Sequence, residues 1–170
     1  FRVSKQMAVV NVTSGPAALN ALNGVYGAYV DSIPVIIISG QPKQSQTVGS
    51  TSIPLRQLGD QEFDAITEVV KPICKYVVRV SDSTSISYEV EKCIKIATSG
   101  RPGPVWIDVP MDLQAKTFVP VESNAAASEL IERNDINVRS NYVSEKTLDL
   151  IVQKISTSSR PVLYLGAHLK

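Results

Sequence analysis

The chain has 170 residues, 44% of them apolar, and 17 Lys and Arg against 16 Asp and Glu give it a formal net charge of +1. That length holds one domain, or one domain and a piece of a second. The balanced charge argues against a nucleic-acid surface, which shows a basic excess, and gives no reason to expect an anionic membrane as partner. No apolar run approaches the roughly 18 residues needed to span a bilayer, and no basic-then-apolar leader opens the chain. The expected setting is therefore soluble and intracellular, in the cytoplasm. The two cysteines, Cys74 and Cys93, form no Cys-x-x-C and have no His cluster near them. They read as small buried thiols, with no metal site expected. The sole histidine, His168, reads as a turn residue.

In chain order, residues 8–13 form a short β-branched run ended by Ser14-Gly15, the pattern of a buried strand. Pro16 suits the first turn of a helix, where its missing N–H costs nothing. The helix is expected to run to about Val30, with Ser14 or Gly15 as its cap. Gly24 and Gly27 within it each cost roughly 1 kcal/mol relative to Ala, which predicts a close neighbour, either another helix or another subunit. Residues 34–39, Pro-Val-Ile-Ile-Ile-Ser, read as a fully buried strand. A polar stretch through about Leu58 follows, longer than loops without a role usually are.

Residues 60–69 predict a short helix stopped by Pro72, and 73–80 a strand. Asp82 or Ser83 caps a helix over 84–99 whose apolar stripe is Ile86, Val90, Cys93, Ile94 and Ala97. Gly100 is its natural stop, and 105–109 is another buried strand. Residues 111–143 lack periodicity and read as a linker. Ser144 caps a helix over 145–156, and Arg160-Pro161 opens a last apolar strand. That final run has nothing after it to pair with, and Phe1-Arg2-Val3 opens the chain without a cap, so the expectation is a fragment of a longer protein. Continuous apolar strands alternating with helices predict an α/β fold, a parallel sheet covered on both faces. Ligands in such sheets bind beyond the carboxyl ends of the strands, here Thr13-Ser14-Gly15, Ser39-Gly40-Gln41 and Asp108-Val109-Pro110.

The segments VTSGPAALNALNGVYGAYVDSIPVIIISGQ, KPICKYVVRV and ATSGRPGPVWIDVPMDLQ, in this order and spacing, resemble the large subunit of acetolactate synthase and its relatives among the thiamine-diphosphate-dependent enzymes. The resemblance implies a pyrimidine-binding domain over residues 1–115 lacking its first elements, a linker over 116–143, and the beginning of a Rossmann-like central domain over 144–170. It further implies a site shared between subunits of a homodimer or homotetramer, a small 2-oxo acid as substrate, and thiamine diphosphate with Mg²⁺ as cofactors. The metal ligands would lie outside this chain, and FAD stays open. Where the family reads Ser-Gly-Pro-Gly-Ala-Thr-Asn, this chain has Ser14-Gly15-Pro16-Ala17-Ala18-Leu19-Asn20. Ser14, Gly15, Pro16 and Asn20 match as cofactor-binding positions, while Ala17 and Leu19 depart from the pattern.

Gln61-Glu62 stands where the family has Phe-Gln-Glu, with Asp60 in place of the aromatic. The resemblance makes Gln61 the residue facing the reacting centre. It also implies acetolactate-forming carboligation of pyruvate after decarboxylation, by a protein of which these residues alone would be inactive. The alternatives are a 2-oxo acid decarboxylase, a sugar-modifying relative, or a non-catalytic nucleotide-binding or regulatory α/β module.

Overall fold

The structure, a computed structural model, describes residues 1–47, 50, 65–117, 143–162 and 164. Four strands, β1 (Ala8–Val12), β2 (Val35–Gln41), β3 (Tyr76–Arg79) and β4 (Pro104–Pro110), form one sheet in the order β1-β2-β4-β3. Every pairing is parallel, with Val10 opposite Ile37, Ile37 opposite Trp106, and Val78 opposite Ile107. The two central strands carry the uninterrupted apolar runs because they are covered on both faces. The edge strand β1 is more open: Val9 is 59% exposed.

Alternation along β2 divides the core. Val35 and Ile37 join Trp106 in a cluster with Ala18, Val25, Ala28, Ile66 and Val70. The helices on that face are α1 (Pro16–Asn20), α2 (Leu22–Val30) and α3 (Ala65–Val70). Ile36, Val105 and Ile107 point the other way, onto Cys93, Ile96 and Ala97 of α4 (Ile86–Thr98) and Leu113 of α5 (Met111–Gln114). The fold is thus the expected parallel α/β sheet with a helical layer on each face.

Several local differences have physical causes. The helix expected from Pro16 to Val30 is two segments, because the Ala21 N–H bonds back to Ala18 O (3.2 Å) in a tighter turn before Leu22 starts α2. At its far end the Ile33 N–H donates to Ala28 O (2.8 Å) and the Ser32 N–H to Tyr29 O (3.4 Å), with Ser32 left-handed at φ 56°. This is the Schellman ending, here without the usual glycine. Arg101 braces it, donating to Ser32 Oγ (2.7 Å) and Val30 O (3.1 Å).

Asp82 caps a 3₁₀ turn, Ser83–Ser85, that leads into α4. Gly100, at φ 54°, lets the chain leave that helix. Ile94 is 43% exposed and Ile96 buried, so the buried stripe of α4 is rotated from the one expected. Nothing lies within 4 Å of a Cβ built at Gly24 or Gly27, so no element of this chain among the described residues packs on them closely. No described helix is long and apolar enough to cross a membrane.

The chain divides into two compact units, Phe1–Ile136 and Asn137–Lys170. In the second, Ser144 caps α6 (Glu145–Thr157), its Oγ accepting from the Thr147 N–H at 3.2 Å. Pro161, Val162 and Tyr164 form no strand, and the remainder of that expected element, with His168, falls outside the described residues.

Candidate functional site

Because all four strands run the same way, their carboxyl ends meet on one side of the sheet. A cleft of about 640 Å³ opens there. Asn11, Val12, Thr13 and Ser14 contribute from the end of β1, and Ile38 to Pro42 with Gln46 from the end of β2 and the turn after it. Val109, Met111 and Gln114 close it from β4 and α5. Among the described residues that line it there is no Lys, Arg, Asp or Glu. A surface of amides, hydroxyls and short apolar groups suits a flat neutral ring that hydrogen-bonds at its edges. Among the described residues it offers no cationic side chain to neutralise a phosphate.

The polar floor of the cleft rests on a buried carboxylate. Ser39 lies opposite Asp108, two positions beyond Ile37 and Trp106, so these side chains share one face. The Asp108 side chain is 0% exposed, Ser39 1% and Gln41 3%. A carboxylate so placed is tolerable only when hydrogen-bonded. Ser39 Oγ donates to Asp108 Oδ1, Gln41 Nε2 donates to Asp108 Oδ2, and Trp106 Nε1 donates to Ser39 Oγ at 2.7 Å. At the rim, Gln114 Nε2 donates to Val109 O (2.7 Å). The turn after β2 is tied to α5 by the Gln44 N–H, which donates to Asp112 Oδ1 (3.2 Å).

Of the residues predicted to bind cofactor, Ser14 lines the cleft directly. Gly15 is the buried hinge behind it, at φ 62°, ψ −126°. Pro16 and Asn20, the first and last residues of α1, are both exposed and four apart, hence on one side of that helix. They follow directly on the cleft-lining Ser14, but neither lines the cleft itself. Gln61 lies outside the described residues. Asn11, Gln46 and Gln114 line the cleft without having been singled out in the sequence, whereas Ser39 and Gln41 belong to a strand end expected to meet a ligand. Gln41 was readable in principle. It sits two positions after Ser39 and so shares its face, but β2 runs two residues past the expected end.

Several described titratable groups away from this cleft have displaced values. Burial pushes the Cys74 and Cys93 thiols up to about 12, which makes both poor nucleophiles. Burial, and then the bond its hydroxyl donates to Glu89 (2.8 Å), raise Tyr76. Burial lowers Lys75, whose Nζ donates to Ser99 O (2.6 Å) and to Ile96 O at the end of α4. Among the described residues no three of His, Cys, Asp and Glu gather as a metal site.

Comparison with known proteins bears on this geometry. Residues 1–67 match the family model of the thiamine pyrophosphate enzyme N-terminal TPP binding domain. The chloroplastic acetolactate synthase of Arabidopsis thaliana is 34% identical over 167 residues, which is 97% of this chain and 23% of that protein. The acetolactate synthase large subunit of Lactococcus lactis is 34% identical over 172 residues, 98% of this chain and 26% of its own length. The chain is similar to acetolactate synthases over nearly its whole length. The mitochondrial acetolactate synthase of Schizosaccharomyces pombe extends the likeness, at 31% identity over 97% of the chain and 24% of that protein. The chain thus spans about a quarter of the length of these curated relatives.

Proposed function

We propose that this chain supplies the pyrimidine-binding half of a thiamine-diphosphate site in an acetolactate-synthase-like enzyme, one that decarboxylates pyruvate and joins what remains to an acceptor. The observation that carries the reading is the uncharged, amide-rich cleft at the carboxyl ends of β1, β2 and β4, reached through the Ser14-to-Asn20 segment that resembles the family's loop. Bound thiamine diphosphate supplies the electron sink for breaking the bond to a carboxylate. This chain's part is to receive and orient the neutral ring. Ser14 and Asn11 offer hydrogen bonds from β1, Gln41 offers its amide from β2, and Pro16 and Asn20 extend the binding edge along α1.

The described lining carries no cation, and in this reading the diphosphate and Mg²⁺ belong to another part of the protein or to a second copy. The exposed α2 face, with Gly24, Gly27 and Tyr26, is the surface we assign to that second copy in a homodimer or homotetramer. Gln61 faces the reacting centre in this reading, which also keeps the enzyme in the cytoplasm. Asp60, in place of the family's aromatic, favours a different acceptor and keeps decarboxylase or sugar-modifying chemistry as the second reading.

The deciding experiment incubates the full-length protein with pyruvate, thiamine diphosphate and Mg²⁺. Acetolactate is the expected product, acetaldehyde alone would select the decarboxylase, and neither would overturn the enzymatic reading. Residues 1–170 alone should be inactive and bind the cofactor weakly. Tight binding in a calorimetric titration would contradict that.

A further inference from the structure

We propose that Asp108 is a positioning residue for the cleft, acting through Gln41, and this deepens the reading of the cleft as a ring-binding site. Three observations converge on it. The carboxylate is wholly buried at the end of a central strand, where an apolar residue would pack at lower cost. Both of its oxygens accept hydrogen bonds from one neighbouring strand, Oδ1 from Ser39 and Oδ2 from Gln41. Both of those donors line the cleft, whereas Asp108 does not. The carboxylate thus reaches the cleft through the side chains it holds.

The chemistry follows from the direction of these bonds. Both carboxylate oxygens act as acceptors here, so Oδ2 selects the Nε2 end of the Gln41 amide and settles which way that side chain is turned. A glutamine carries several rotatable bonds, and ordering it at an interface costs conformational entropy. Holding it before the ligand arrives removes that cost from binding. Ser39 is held in the same way, since its Oγ accepts from Trp106 Nε1 and is thereby directed to donate to Asp108. The result is a floor of preset polarity under a neutral ring.

The test is a double-mutant cycle in the full-length protein with thiamine diphosphate as the probe and its dissociation constant as the readout. Asp108→Asn replaces one accepting oxygen with a donor that opposes the Gln41 or Ser39 donor, so affinity should fall about tenfold, equivalent to roughly 1.4 kcal/mol. Gln41→Ala should produce a loss of similar size, and Asp108→Asn added to it should cost clearly less than it does in the wild-type background. A merely structural aspartate would lower the melting temperature yet leave the two affinity losses additive, and that additivity would overturn the assignment.

Should Asp108→Asn fail to fold, Gln41→Asn leaves the Ser39–Asp108 pair intact while its amide is one carbon short of the carboxylate. It should lose as much affinity as Gln41→Ala, and wild-type affinity in that variant would equally overturn the proposal. Wild-type protein that does not bind thiamine diphosphate at all would remove the ring-binding reading and this inference together. Wild-type binding that Asp108→Asn leaves unchanged would remove only the inference.

Discussion

Replacing Gly15 by alanine should destabilise the protein by about 2 kcal/mol. Gly15 stands at φ 62°, ψ −126° between the end of β1 and the first residue of α1, and its carbonyl accepts the first helical bond, from the Leu19 N–H at 3.1 Å. An L-residue held in that part of the map carries roughly 1–3 kcal/mol of strain. Alanine is also a poorer helix cap than glycine, by about 0.5–1 kcal/mol. Against these, alanine narrows the unfolded ensemble and returns about 0.4–1 kcal/mol. The opposing effect is the smaller, so the net is a loss of around 2 kcal/mol.

In a protein of this size that corresponds to a melting point lower by about 4–8 °C. Urea unfolding of wild type and variant, compared at their midpoints with the slope checked for constancy, measures it. Binding should weaken as well, because relaxing the turn displaces the cleft-lining Ser14. A destabilisation below about 0.5 kcal/mol with unchanged ligand affinity would refute the argument, since the turn would then accept a side chain freely.

Ile37→Ala, at a buried central-strand position packed among Ala18, Val25 and Trp106, should cost about 2–5 kcal/mol, read from the same unfolding curves; a cost under 1 kcal/mol would mean that the helices collapse onto the gap. Stability should fall as the solution is made alkaline. Cys74 and Cys93 ionise near 9.0 when exposed and near 12 when folded, so their contribution is complete below pH 9 and is lost as pH rises toward 12, by up to about 1.4 kcal/mol per pH unit for each thiol. Cys93→Ala should flatten that slope, whatever its effect on stability at pH 7. Asn20→Ala, at an exposed position on α1, should change stability by less than about 0.5 kcal/mol yet lower the affinity of the full-length protein for thiamine diphosphate. Unchanged affinity would take Asn20 out of the site.

Most of the fold was legible in the residues because apolar periodicity is a local signal that reflects burial. Val-Ile-Ile-Ile in β2 reads as a strand covered on both faces, and Gly15-Pro16 after the apolar run of β1 marks a strand-to-helix joint. That ligands would meet the sheet at Thr13-Ser14 and Ser39-Gly40-Gln41 followed from strands that run parallel, and Ser14, Ser39, Gly40 and Gln41 do line the cleft.

Other features depended on contacts between residues distant in the chain. The division of one expected helix into α1 and α2, and the rotation that buries Ile96 while exposing Ile94, were settled by what each surface meets in space. The partnership of Ser39 and Gln41 with Asp108 spans 69 and 67 residues, and no local pattern announces it. By itself the sequence determined that a parallel α/β sheet would form and on which edge its ligand would be met, because hydrophobic period and turn chemistry act over a few residues. The tertiary structure alone decided that Asp108 belongs beneath the cleft and not at an idle sheet end, because a buried charge acquires its role from the donors that the fold places around it.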